Sequence, residues 1–445
     1  MSIAQAEQTA SLPTTNVRRT PTRTLYLAAL VAGFVVAGFW TVAVLLGTAN
    51  AISGAYTDMR NDIAVNNDFP MFYSGAANVV SAQREDAYDK HFIVESIRNR
   101  WVDPESEKAQ ELIPWLRYYN PPFHLFLLSP LTALDIHHAY VVLLVVNIGL
   151  LLLLLYLVGA VMKWRQPATA LLIVMALGLM SVPQSIYQGQ PTMLISVLVT
   201  GSFMLSMKGR TTAAALLAAL ASAKPQWAVA TALPLLRRDW RTAVPLAAFG
   251  ALITLTPFLV LGLSAFADYI GLVLGRGGDD LSNAEYSSHV LSWPGFMVAL
   301  TGDVQPLASV MLVLLSLGLL AIVLRQGDRH LTWVGSIFCM LIVLPHSHPQ
   351  DWMVAVPAAA ILLARPMTPA MKTITVALLI AGYVAANTWV IASGIAFDGG
   401  RALYAVTPVT LVLLAWCAAI PLLEGRRPRQ AEPIYSHTEL ARASR

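Results

Sequence analysis

Short polar clusters interrupt an otherwise apolar chain: Asn67-Asp68-Phe69, Tyr118-Tyr119-Asn120-Pro121-Pro122, Tyr187-Gln188-Gly189-Gln190, Lys224-Pro225-Gln226, Ser288-His289 and His346-Ser347-His348. These residue types suit phosphate and polyol chemistry. Lys224 is the sharpest of them. An ammonium between two apolar segments costs about 2.5–3.5 kcal/mol at mid-bilayer, so it faces a cavity or a partner. Phosphate is its natural partner. The plainer reading is a lysine whose head snorkels to the interface. His346 and His348 suit hydrogen bonding to a phosphate or a sugar. With Asp351 they also resemble zinc ligands, but no His-Glu-x-x-His pattern accompanies them. Asp68 is placed to cap a helix starting at Phe69, since a carboxylate accepts first-turn N–H groups. Such a cap is compatible with catalysis, because it fixes the carboxylate. Gln188 and Gln190 flank a glycine that permits a tight turn, and two amides can bind a polyol. Trp293, Trp352, Tyr118 and Tyr119 fit interface-belt aromatics better than sugar platforms. His137, His138 and His330 receive no role.

The elements that must position these residues are membrane helices. Apolar residues make up 56% of the 445 and charged residues 12%, far from a soluble domain. The net charge of +4 is not a nucleic-acid signal, because the basic residues sit in short turns between apolar runs. Placing those turns in the cytoplasm (around Arg18, Lys163, Lys208, Arg237, Arg325, Arg365 and Arg426) gives roughly twelve alternating spans. The first runs from about Leu25 to Ala49. Both tails, 1–24 and 425–445, are then cytoplasmic and read as disordered, and 25–424 form one integral membrane domain. Every polar cluster falls at or near the opposite, non-cytoplasmic face.

Two long outer loops follow, 50–120 and 264–305. The first should hold a helix after Asp68, an amphipathic helix over Lys90 to Trp101, and a membrane-edge helix over Phe123 to Leu134. The second should hold an interfacial helix over Ser264 to Leu274. Gly275, Gly277 and Gly278 are expected to break it before a polar lid, Asp279 to Ser292. Thr212 to Ala223, Gln226 to Leu236 and Trp352 to Ala364 are too short to cross straight. Broken helices around Lys224 and His348 therefore imply a cavity. Cys339 and Cys417 fall in spans and imply no disulfide framework.

The ordered set Asn67-Asp68-Phe69 with Tyr73 and Gly75, Ala87-Tyr88-Asp89, Tyr119-Asn120-Pro121-Pro122-Phe123 with Pro130, Gln188-Gly189-Gln190-Pro191, Lys224-Pro225-Gln226 and His348-Pro349-Gln350-Asp351-Trp352 resembles glycosyltransferase family 87 over about Leu25 to Leu423. That family includes polyprenol-phosphate-mannose-dependent α-1,2-mannosyltransferases. The resemblance implies an all-α GT-C glycosyltransferase fold in the plasma (inner) membrane, with an active site facing the periplasm. It implies transfer of a hexose, mannose by family, from a polyprenyl-phosphate sugar to a lipid-linked or glycan acceptor, with inversion. The family's catalytic aspartate maps to Asp68 and its late histidine to His346 or His348. The stretch Tyr286 to Trp293 departs from the family's pattern.

On that basis Asp68 is the expected general base. Lys224, His346 and His348 are expected at the donor phosphate. Tyr119, Asn120, Gln188, Gln190 and His289 are expected at donor or acceptor hydroxyls. Membrane lipid is the surrounding partner, no nucleic acid is implied, and neither a metal nor a cofactor is called for. The competing class is a lipid or solute transporter, since broken helices and membrane-depth polar groups also mark transporters. A transporter would show two related halves. No repeat is visible in the chain, and the large first outer loop has little use in alternating access.

Overall fold

The computed structural model describes residues 21–61, 68–89, 91–92, 95, 119–164, 166–282, 290–344, 347–395 and 405–425. In chain order the helices are α1 (Pro21–Arg60), α2 (Phe69–Val79), α3 (Pro122–Leu128), α4 (Ile136–Val161), α5 (Pro167–Leu177), α6 (Ser181–Tyr187), α7 (Thr192–Met207), α8 (Thr211–Leu220), α9 (Pro225–Arg238), α10 (Ala243–Leu261), α11 (Leu263–Ser282), α12 (Trp293–Thr301), α13 (Pro306–Gln326), α14 (Arg329–Val343), α15 (Ala355–Ala364), α16 (Pro369–Ile395) and α17 (Val406–Leu423). Among the described residues there is no strand. Short 3-10 turns at Ala221–Ala223 and Pro349–Val354 lead into α9 and α15.

Among the described residues, length and composition qualify six helices as membrane spans, seven if the bent pair α5–α6 counts as one. This is fewer than the twelve expected. The difference lies in helices such as α7 and α14, which have 16 and 15 residues and pack inside the bundle. About 20 residues are needed to cross alone, but a helix buried among others is not held to that length. α14 is apolar and buried on nearly every side, and it carries the core with α15. α1, α4, α10 and α13 instead expose large apolar side chains such as Phe39, Leu152, Val244 and Leu314, a surface suited to lipid.

Several boundaries differ from the sequence expectation. α1 continues past Ala49 to Arg60; its 40 residues correspond to about 60 Å, longer than a bilayer is thick. Residues 50–60, expected in the first outer loop, therefore belong to this helix. α11 runs through Gly275, Gly277 and Gly278 rather than breaking there. A glycine costs a helix about 1 kcal/mol relative to alanine, which weakens it without forbidding it. Most of the helix expected over Lys90 to Trp101 lies outside the described residues, as do residues 1–20 and 426–445 of the tails and residues 283–289 of the expected lid, whose first residues, 279–282, belong to α11.

α5 and α6 meet at a bend of 47°. It frees backbone groups at depth, and neighbours satisfy them. Asn387 of α16 donates to the Gly178 carbonyl (3.0 Å) and accepts from the Met180 N–H (2.9 Å), while Thr41 of α1 donates to the Val174 carbonyl (3.0 Å). The short α6 thus enters the bundle at a fixed angle and ends at the Gln188-Gly189-Gln190 turn.

Candidate functional site

Two long-range polar pairs form the site. The first joins Asp68 to Gln190. Gly189 adopts a left-handed conformation, φ +68°, and a Cβ there would lie 2.9 Å from the Leu143 side chain and 3.2 Å from Phe69 Cβ. Glycine is therefore required for both conformation and space. The turn brings the Gln190 amide to donate to Asp68 Oδ2. Asp68 occupies the N-cap position of α2, but its side chain makes no capping bond. The expected cap is thus corrected: the carboxylate turns toward Gln190. Phe69, next to it, packs against Tyr140 of α4 with ring centroids 5.3 Å apart, and the Tyr140 hydroxyl donates to the Tyr187 carbonyl at 3.0 Å.

The second pair joins Lys224 to Asp351. Lys224 precedes Pro225 and is extended, φ −130° and ψ 104°, as a residue before proline must tend to be. It therefore breaks the path from α8 to α9 and sends its side chain inward. Its Nζ lies 2.6 Å from Asp351 Oδ1, with both side chains buried. The other Asp351 oxygen accepts the His348 N–H at 3.1 Å. The turn carrying Asp351 is pinned from α6, where Ser181 Oγ donates to the Pro349 carbonyl (2.6 Å) and Ser185 Oγ to that of Gln350 (3.4 Å). One short helix thus supports both pairs.

His124, on α3, lies within the field of Lys224. The Asn120 amide donates to its Nδ1 at 3.1 Å, so Nδ1 must be an acceptor, and the Asn120 carbonyl accepts the Tyr88 hydroxyl at 2.8 Å. The imidazole meets Phe72 of α2 edge to face at 5.2 Å. Helix α3, which carries it, lies outside the candidate spans. Burial, and then the Lys224 charge, push the His124 pKa down to about 3, so the ring is neutral at physiological pH.

Several buried polar atoms here have no hydrogen-bond partner among the described residues: Gln188 Oε1, Gln190 Oε1, Trp227 Nε1, Ser347 Oγ and Trp352 Nε1. Buried polar groups are nearly always paired, so this set is suited to an incoming polar ligand. Trp352 also lines an apolar cavity with Leu179, Phe338, Val356, Ala359 and Tyr383. The cavity thus begins one residue from Asp351.

Of the residues expected from sequence, Asp68 meets Gln190, and Lys224 meets His348 through Asp351. Asn120 reaches the Lys224 surroundings through His124. Gln188 and Tyr119 are half-buried. His289 and His346 lie outside the described residues. Sequence reading gave no role to His124 and considered Asp351 only as a zinc ligand beside His346 and His348. The available signal was a histidine four residues after Asn120 in an apolar run. A metal could be held by Asp135, His137 and His138, whose ligand atoms lie within 4.8 Å of one another at the exposed start of α4. At Asp351, by contrast, both oxygens are engaged by Lys224 and the His348 N–H.

Fold and site together define a multi-pass membrane protein with a buried polar centre beside an apolar cavity. Residues 118–347, slightly over half of the chain, match the model of glycosyltransferase family 87, and the chain belongs to that family. It is accordingly a membrane glycosyltransferase, acting on a sugar donor and an acceptor. The matched segment contains Tyr119, Asn120, Gln188, Gln190, Lys224, His289 and His346, whereas Asp68, His348 and Asp351 lie outside it. Neither a curated protein nor a solved structure gives a match.

Proposed function

We propose that this enzyme transfers a hexose, mannose in the first instance, from a polyprenyl-phosphate sugar to a hydroxyl of a lipid or glycan acceptor. The reaction takes place at the outer face of the plasma membrane within a GT-C fold. The observation that carries the reading is the buried ammonium of Lys224 next to a cavity lined by apolar side chains. A phosphate and a hydrocarbon tail on one molecule suit those two neighbours. In the reaction the acceptor oxygen bonds to the anomeric carbon from the face opposite the phosphate. The bond from that carbon to the phosphate oxygen breaks, and configuration inverts. The hydroxyl proton goes to the Asp68 carboxylate, and the polyprenyl phosphate leaves with the electron pair. Gln190 holds the carboxylate in place. Lys224, His346 and His348 face the growing phosphate charge, where fixed donors in a water-poor site act most strongly. Tyr119, Asn120, Gln188 and His289 bind sugar or acceptor hydroxyls.

The test is transfer of radiolabelled mannose from polyprenyl-phosphate mannose in membranes, wild type beside Asp68→Asn. A general base contributes about 10²–10⁴-fold, so the variant should lose that much of kcat while still binding donor. Full activity in Asp68→Asn would remove the base assignment. Donor binding without transfer in the wild type would favour a transporter.

A further inference from the structure

Lys224 is only 7% exposed, and among the described residues its ammonium makes one hydrogen bond, to Asp351. An ammonium has three N–H donors. Two remain unspent in a buried place, which is costly unless a ligand takes them. Asp351 itself is 1% exposed and held from both sides, by Lys224 and by the His348 N–H. The pair is therefore a fixed, electrically neutral unit.

We propose that Asp351 is a positioning residue for the donor phosphate and also sets the charge of its site; this rests on the function proposed above. It anchors the Lys224 ammonium by one N–H and aims the other two at phosphate oxygens. It also cancels the lysine charge. That second effect bears on turnover. The donor is a phosphodiester with one negative charge, whereas the released monoester carries about −1.5 to −2 near neutral pH. A bare buried lysine would favour the product over the donor and trap it. Lysine paired with aspartate still offers directed N–H bonds while reducing that preference. The unpartnered N–H of Trp227 and Trp352 and the hydroxyl of Ser347, on the same segments, are further neutral donors.

The experiment uses the full-length protein in detergent. It measures inhibition by polyprenyl monophosphate, donor KM and kcat. Wild type is measured first for monophosphate binding and for mannose transfer. If it does neither, the proposed function falls and this inference with it. Where wild type does both, Asp351→Asn should bind the monophosphate about tenfold tighter relative to donor KM, because the lysine charge is uncovered. Its kcat should fall by about tenfold or more, because a neutral amide oxygen holds the ammonium less firmly than a carboxylate. Asp351→Glu should return monophosphate inhibition toward wild type but not kcat, since it restores charge and not geometry. An unchanged ratio of product inhibition to donor KM in Asp351→Asn would overturn the assignment while leaving the transferase reading intact. If that variant does not fold, Lys224→Met with Asp351→Leu removes both charges and leaves neither orphaned. It should then fold but lose monophosphate binding and transfer. Retained transfer in the double variant would make the pair structural and overturn the proposal.

Discussion

His124 illustrates how a single buried ring constrains its surroundings. It is 2% exposed, accepts from Asn120 and lies within the field of Lys224. In an unfolded chain the imidazole titrates near 6.5; in the fold it does so at about 3. Between those values the unfolded chain binds more protons, so the contribution of His124 to stability is complete above about 6.5. It is lost as pH falls toward about 3. Where only the unfolded ring is protonated, the slope is on the order of 1 kcal/mol per pH unit. Thermal unfolding of the detergent-purified protein should show Tm falling across this window, and His124→Asn should flatten the fall. Equal slopes would mean that the ring is solvated or charged in the fold. The neutral ring also explains how an imidazole tolerates an ammonium as neighbour: it presents Nδ1 to Asn120 and adds no second positive charge.

At the scale of elements, the Gln188-Gly189-Gln190 turn decides where Asp68 stands. Alanine at Gly189 would pay about 1–2 kcal/mol for the left-handed backbone. Its Cβ would also press on Phe69 Cβ, 3.2 Å away, which cannot swing aside like a side-chain tip. Gly189→Ala should therefore lower transfer about tenfold by shifting Asp68, with a smaller loss of Tm. Wild-type kcat in this variant would show that the turn does not set the carboxylate. The sequence announced these turns because a lysine, a histidine or paired amides in an apolar chain are costly and conspicuous. It did not announce the pairings. Asp68 and Gln190 are 122 residues apart and Lys224 and Asp351 are 127, and no local pattern encodes which segments meet. Short helices such as α9 and α15 were legible from length. The persistence of α1 to Arg60 and of α11 through three glycines was not, since packing outweighs the small local propensities.

Across the whole molecule, polar chemistry is divided between opposite ends of the central helices. α14 begins at Asp328, whose carboxylate caps it and pairs with Arg365, the residue ending α15; Arg365 also forms a two-pronged pair with Glu424 at the end of α17. The other ends of α14 and α15 lead to Ser347, His348 and Asp351. The Arg365 cluster thus ties three helices together at one end, while the Lys224 site occupies the other. Between them lies the apolar cavity, with Trp352 at its edge and Ala359 one face of α15 further along. If the prenyl tail of the donor fills it, binding should depend on chain length, at about 0.8 kcal/mol for each buried CH₂ until the cavity is full. Ala359→Phe would occupy that space without touching Lys224 or Asp68. It should raise KM about tenfold or more for long-chain polyprenyl-phosphate mannose and leave a short-chain donor nearly unaffected. Kinetics with a series of donor lengths measures this directly. A uniform rise in KM at every length would place the tail elsewhere, most plainly along the lipid-facing helices α1 and α4. A rise confined to long chains would fix the path of the donor from the membrane to the phosphate site.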